Sequence, residues 1–407
     1  MRVGEVPDVA EQRRELPPTG AESGLDGAFL DVAVRAGLRC WLITGTGRVI
    51  TGSGELPRGT ALRLAAEYQA AARGRAGSAV VTGAGDAVEM ADGRFALLAV
   101  AGSQAAGGTA VAGWFLACAG QRHEWTAEQA RTAAALAADA VHVRARAAAR
   151  SSGERGLAEA LIGRLAADGD DAVGAETKAL LNAAGLRPGY LAVALRAGDL
   201  AADRDLAEDL VSGYAGGSGR SAVAVAGHEV LAVVSGTDVA GLAAWLREAG
   251  PVLKAAGLAL TAGIGGPADS AAALAGAVRE ASGVRRAAEL RAAAATGKPA
   301  AGVCVATSTE VDSHELLLAS VPTTVLRSFR ERLLGPLREY DARHNAELLP
   351  TLRSFLACDG SWSACAARMY VHVNTVRYRI GRIEALTGRD LSALADRVDF
   401  FLALRGA

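Results

Sequence analysis

Seven side chains in the stretch HVNTVRYRIGR (372–382) carry groups suited to contacting phosphates and base edges: His372, Asn374, Thr375, Arg377, Tyr378, Arg379 and Arg382. An arginine can donate twice to a guanine edge, an asparagine can pair with adenine, and threonine or tyrosine can reach a phosphate. That chemistry needs a helix with one face free. Val376, Ile380 and Ile383 recur at i, i+4 and i+7 and form the stripe to be buried. Asn374, Tyr378 and Gly381 then point the opposite way, flanked by Arg377 and Arg382. Gly381 removes a side chain where the helix would otherwise stand off a duplex. His372 falls at the helix start, where first-turn N–H groups can also meet a phosphate; a capping or core role for it stays open. Arg379 lies toward the buried stripe, where an acid could pair with it. A solvated, arginine-rich packing helix is the competing reading.

The elements that must position this face are short helices. LLPTLRSFLA (348–357) reads as one, the turn Cys358-Asp359-Gly360 follows, and SWSACAARM (361–369) opens with Ser361 as a plausible N-cap. Two such helices cross steeply only where small residues meet, and Ala366 and Ala367 supply them. A last helix is expected over 390–405. From Ser361 to Arg389 there are five arginines against Glu384, although the whole chain carries a net charge of only −1. A basic module therefore hangs on a mildly acidic body.

Catalytic and metal-binding constellations do not assemble. The six histidines are dispersed, and the five cysteines (Cys40, Cys118, Cys304, Cys358, Cys365) contain no CxxC pair. No HExxH or GxSxG occurs, so no cofactor, metal or catalytic residue is assigned. Unpaired, scattered cysteines fit reduced thiols in a cytosol, and the polar start MRVGEVPDVAEQRRELPPTG has no apolar core for a signal peptide. Residues 95–120 are uncharged over a membrane-span length, but Gly102-Ser103-Gln104 and Gly107-Gly108-Thr109 divide them into two strand-length runs. A cytoplasmic protein without membrane contact is expected.

At 407 residues, with 51% of them hydrophobic, the chain holds material for two or three domains. The expectation is a multidomain α+β protein. Residues 1–25 read as a disordered tail. Residues 26–148 read as a helix (25–36), paired strands around a turn (40–54), a helix from Thr60, the 95–120 strand pair and a long helix capped by Thr126 and Gln129. That layout resembles GAF- and PAS-type sensor domains. Residues 144–156 are expected to be a linker. Residues 149–310 begin with helices at 157–167 and 174–184. A β-α-β-β-α-β order follows, a ferredoxin-like split βαβ with helices on one side of the sheet. Residues 311–344 form a helical connector, with Pro322 and Pro336 marking helix starts. Residues 345–407 are all helical.

Arg39, Trp41 and Trp114, with Arg122 and His123 nearby, are the polar and aromatic candidates for an effector site in the first unit; core or rim roles for the tryptophans are the alternative. In the middle unit the only acids near a metal-binding hairpin are Asp199 and Glu229, and the glycines of TAGIGG (Gly263, Gly265, Gly266) are not followed by Lys-Ser/Thr. A silent spacer or dimerisation domain is expected. Leu157, Leu161 and Leu165 offer a pairing stripe or a core face.

HVNTVRYRIGRIEALTGRDL closely resembles the C-terminal helix-turn-helix of the PucR/CdaR family of bacterial transcription regulators. The resemblance is carried by His372, Asn374, Thr375, Val376, Tyr378, Arg379 and Ile380, by Glu347, Leu348, Thr351 and Leu352 upstream, and by Gly388-Arg389-Asp390-Leu391 downstream. Tyr370 departs from general helix-turn-helix practice, where glycine is common at the turn. The middle unit resembles, more weakly, that family's degenerate GGDEF-like domain. The resemblance implies a double-stranded DNA operator as partner, a homodimer or higher homo-oligomer, an unknown small-molecule or partner signal at the front end, and no enzymatic activity. Two other classes stay open: nucleotide turnover by the middle unit, and an adaptor whose basic helix docks on an acidic partner.

Overall fold

The computed structural model describes residues 32–75, 87–89, 94–100, 113–167, 174–198, 200–215, 220–296, 301–321 and 323–405. The tail expected over 1–25, most of the first helix, Asp199 and Pro322 lie outside the described residues.

Strands β1 (Cys40–Thr44), β2 (Val49–Gly52), β3 (Ala87–Glu89), β4 (Phe95–Ala99) and β5 (Trp114–Ala119) form a sheet ordered β2-β1-β5-β4-β3. All neighbouring strands run antiparallel. The uncharged run 95–120 thus contributes two paired strands, while its centre lies outside the described residues. Among the described residues no helix is long and apolar enough to cross a membrane. The short β3 was not anticipated, since three residues carry no periodic signal. Both sheet faces are covered. Trp41, Ile43, Phe115 and Ala117 pack against Leu64, Ala65 and Tyr68 of α1 (Arg58–Arg75). Cys40, Leu42, Leu116 and Cys118 pack against Ala133, Leu136, Ala137 and Ala140 of α2 (Ala127–Ala166).

Helix α2 opens as expected. Thr126 Oγ1 accepts from the Gln129 N–H at 3.1 Å, and Gln129 Oε1 accepts from the Thr126 N–H at 3.0 Å. Its length corrects the linker expectation: residues 144–156 are helical, inside one 40-residue helix. Polar residues interrupted the apolar pattern there, but alanine and arginine favour helix and no proline breaks it; Gly153 and Gly156 weaken the helix without ending it.

The second sheet holds β6 (Tyr190–Arg196), β7 (Ser221–Ala226), β8 (Glu229–Ser235), β9 (Ala259–Ile264) and β10 (Gly302–Thr307) in the order β10-β9-β6-β8-β7. The first four strands have the expected split βαβ connectivity; β10, unanticipated, adds parallel to β9. The helices are α3 (Ala175–Ala183), α4 (Leu200–Ala215), α5 (Val239–Glu248), α6 (Gly250–Ala256) and α7 (Ala271–Thr296). Helices on one side only is the second expectation to be corrected. Leu191, Val193 and Leu195 face α4–α6, while Ala192 and Ala194 face the end of α2, α3 and α7. The unbroken apolar run of β6 was the signal, since a strand buried on both faces does not alternate. Leu161 and Leu165 are fully buried against this second face, so their stripe is core.

The two sheet units touch directly. Val252 of α6 joins the core under α1, and Asp209 of α4 accepts from Thr46 Oγ1 and, at 2.8 Å, from Arg48 Nε.

Helices α8 (Ser313–Ser320), α9 (Thr323–His344), α10 (Leu348–Ala357), α11 (Trp362–Met369), α12 (Val373–Thr387) and α13 (Leu394–Arg405) complete the chain. Leu333, Leu334 and Leu337 of α9 share one core with Leu352, Phe355, Val376, Ile380, Ile383 and Phe400. The boundary expected at 345 therefore cuts through a single core. Pro336 lies inside α9 rather than at a helix start. An internal proline costs about 3 kcal/mol, and burial of the three leucines beside it offsets that.

Candidate nucleic-acid interface

Helices α11 and α12 are joined by only Tyr370, Val371 and His372. Ser361 caps α11, its Oγ accepting from the Ala364 N–H at 3.3 Å. His372 caps α12, its Nδ1 accepting from the Asn374 N–H at 3.2 Å, so of the readings left open for it the structure shows the capping one. On α12, Val376, Ile380 and Ile383 are at most 1% exposed. The small-residue contact is only half as expected: Ala366 is buried, Ala367 is exposed, and Cys365 takes the inner position. A shift of one residue turns a helical side chain by about 100°.

The predicted contact residues divide into two groups. Asn374, Arg377 and Tyr378 are exposed with His372 beside them, and Thr375 is half-buried. Arg379 and Arg382 are turned back onto the body. Arg379 Nη2 lies 2.9 Å from Glu347 Oε2, and its Nη1 donates to Thr351 Oγ1 at 3.2 Å. Arg382 is half-buried with its guanidinium 4.7 Å from the centre of the Tyr340 ring. Both orient the helix; neither leads the free face.

Two exposed residues were missed by sequence reasoning. Tyr370 caps α11 in the left-handed region at φ 54°, with 96% of its surface exposed. A side chain there is strained by about 1–2 kcal/mol, and this ring finds no packing in return. The signal was its departure from glycine at the turn. Arg368, at the exposed end of α11, adds a positive charge beside it.

Gly381 has neither of the usual reasons for a helical glycine. Its φ is ordinary, and a Cβ built on it meets nothing within 4 Å. Gly381→Ala is expected to stabilise the fold by about 0.5–1 kcal/mol while weakening duplex binding. Thermal unfolding paired with a binding titration checks this, and stabilisation with unchanged affinity would remove the close-approach role.

The far end of α12 is pinned. Gly388 adopts φ 67°, Glu384 Oε1 accepts from the Leu391 N–H at 2.9 Å, and Asp396 accepts from the Asp390 N–H at 2.8 Å and from Arg389 at 2.6 Å. Those two donors hold the Asp396 carboxyl below its usual range.

The other candidates do not converge on a site. Trp41 is 2% exposed, on the α1 side of the first sheet, and donates through Nε1 to the Gly54 carbonyl at 2.9 Å. Trp114 packs on the α2 side, and Arg39 is exposed at 5.3 Å from the Trp41 ring. The sheet separates the two tryptophans, so the three residues form no shared pocket. Glu229 is held by the buried Arg285 at 2.6 Å. Gly263 and Gly265 serve packing: a Cβ on either would overlap the backbone of α7. Asp312, His314 and Glu315 bring three donor atoms within 4.8 Å of one another. However, Asp312 and Glu315 form the capping box of α8, and the Arg291 guanidinium holds the Glu315 carboxyl below its usual range, a charge that opposes a cation.

A short helix, a three-residue turn, a second helix with a polar free face and a supporting helical core define a helix-turn-helix DNA-binding domain. Residues 348–406 match the PucR C-terminal helix-turn-helix domain, and the chain carries that domain. Among similar proteins, one encoded in the pkwA 5′ region of Thermomonospora curvata is 41% identical over 105 residues, covering 26% of this chain and 56% of that protein. The transcriptional activator PmfR of Paenarthrobacter nicotinovorans is 39% identical over 75 residues, covering 18% of this chain and 16% of that one. The DNA-binding transcriptional activator AdeR of Bacillus subtilis is 28% identical over 72 residues, covering 18% and 17%. The chain thus spans from 16% to 56% of the length of these relatives.

Proposed function

We propose that this chain is a cytoplasmic, sequence-specific DNA-binding transcriptional regulator of PucR/CdaR type, in which α12 enters the major groove. The observation that carries the reading is the free face of α12: Asn374, Arg377 and Tyr378 project outward on a helix whose other side is sealed into the core, beside a glycine with open space over it. Arg377 and Asn374 read base edges; Tyr370, Thr375, Tyr378, Arg368 and the start of α12 meet phosphates. One such module offers few base contacts, so two copies bind paired half-sites.

In this reading the first unit, 26–148, is a GAF/PAS-like sensor for a small molecule or partner. The middle unit, 149–310, is a degenerate GGDEF-like spacer; of the helical connector 311–344, α9 belongs with the DNA-binding helices of 345–407, while Val311 and α8 pack on α7. The retention of Glu229 by Arg285 supports a catalytically silent middle unit. The names of PmfR and AdeR, to which the chain is similar over 75 and 72 residues, support transcriptional control.

Footprinting the full chain on its own upstream region tests the proposal. Selective protection whose affinity falls steeply with salt is expected, because each neutralised phosphate adds about −0.9 to the slope of log affinity against log salt. Salt-sensitive binding without sequence preference, or no binding, would overturn it.

A further inference from the structure

Cys40 of β1 and Cys118 of β5 stand directly opposite each other in the antiparallel register. The neighbouring pair, Arg39 and Ala119, is a hydrogen-bonded one, with the Ala119 N–H donating to the Arg39 carbonyl at 2.9 Å. Cys40 turns its backbone to the other side. Its N–H donates to Ser53 Oγ at 3.0 Å and its carbonyl accepts from the Ser53 N–H at 2.8 Å. Pairs alternate along an antiparallel ladder, so Cys40/Cys118 is a non-hydrogen-bonded pair. In such a pair the Cα atoms approach to about 4.5 Å and the side chains lie closest. A disulfide bridges Cα separations of about 4.4–6.8 Å.

Both residues are fully buried, in the cluster that seats Ala133, Leu136, Ala137 and Ala140 of α2. Burial pushes the Cys40 thiol up to about 11 and the Cys118 thiol well above its ordinary value. The protonated dithiol is therefore the resting form, and it is slow to react while α2 is seated. Two buried cysteines can also be small hydrophobes and nothing more; what distinguishes this pair is the register that sets the two residues directly opposite each other on the sheet face beneath the helix connecting the two sheet units.

We propose that Cys40 and Cys118 are a redox-responsive dithiol that a small-molecule disulfide closes to an intramolecular bridge when the first half of α2 lifts from the sheet. One cysteine thiolate attacks a sulfur of the oxidant, releasing one small thiolate and leaving a mixed disulfide. The second cysteine thiolate then attacks the protein sulfur of that mixed disulfide and expels the other small thiolate. Two protons leave the cysteines and end on the two released thiols; the protein loses two electrons and the oxidant gains them. Closure locks β1 to β5 under α2, which alters the seating of that helix and through it the DNA-binding helices. The chemistry of the pair stands by itself, while its effect on DNA rests on the proposed function.

The test uses the full chain carrying Cys304→Ser and Cys358→Ser, which leaves Cys40, Cys118 and Cys365. After equilibration with oxidised glutathione, thiols are counted in denaturant and a digest is mapped without reduction. A loss of two thiols and a link between the peptides holding Cys40 and Cys118, reversed by dithiothreitol, is expected. Cys118→Ala, or Cys40→Ala if the first does not fold, should abolish the link. DNA affinity of the same samples should change about ten-fold or more, within the usual range of coupling between sites. Three free thiols after oxidation, under conditions that modify Cys304 in the unsubstituted chain, would overturn the pair. A bridge formed with unchanged affinity would overturn its regulatory role. A bridge formed in a chain that binds no DNA in either state would support the pair and overturn the proposed function.

Discussion

Arg377→Ala is expected to cost roughly 1–3 kcal/mol of cognate binding per half-site, hence about 2–6 kcal/mol when both copies of a two-fold site carry it. Global stability should stay within about 0.5 kcal/mol. Arg377 is exposed and, among the described residues, has no hydrogen bond or ion pair to lose, so truncation removes nothing from the fold. Binding titrations on cognate and base-substituted duplexes check this. Loss confined to the cognate base marks base readout, and a uniform loss with a salt slope reduced by about one marks a phosphate contact. Unchanged binding on all duplexes would remove Arg377 from the interface. Arg379 makes the contrast: its guanidinium is engaged by Glu347 and Thr351, so Arg379→Ala acts first on the fold.

Gly263→Ala should destabilise the middle unit by about 3 kcal/mol, the upper end for overpacking. Its added Cβ would collide with backbone atoms of Arg285 and Ala281, which cannot rotate away as a side chain can. Helix α7 would have to lift from β9, disturbing the buried Arg285–Glu229 pair. Chemical unfolding monitored on the full chain measures the effect, and a neutral result would mean that α7 does not lie this close. Gly263 and Gly381 thus have opposite reasons for being glycine. One leaves room for a helix of the same chain, and the other leaves open space that a partner is proposed to fill.

The glycines of TAGIGG show why part of the site resisted reading. Their spacing suggested a phosphate loop or nothing, because how closely the following helix, α7, settles on the strand is not written in the spacing: Gly263 is crowded by Ala281 and Arg285, and Gly265 by Ala277. Arg382 was placed on the free face because the Tyr340 ring that draws it back belongs to α9, an element assigned to a connector. The linker at 144–156 failed differently. Interruption of an apolar pattern is not a break in structure, since helix needs only compatible backbone preferences and burial decides its sides later.

Trp41 and Trp114 carry the same lesson in the first unit. Neither residue type says which side of a sheet it occupies, and strand register put them on opposite sides.

What the amino-acid order alone determined was local. The stripe of Val376, Ile380 and Ile383, the caps at Ser361 and Thr126, and the split βαβ order depend on periodicities and contacts within a few residues, so they could be read directly. Tertiary structure alone decided which arginines of α12 are free, which glycines are crowded, that α9 shares the core of the helix-turn-helix, and that two cysteines distant in sequence face each other. Each of these depends on which segment supplies the neighbour, and burial and electrostatic pairing act through space rather than along the chain.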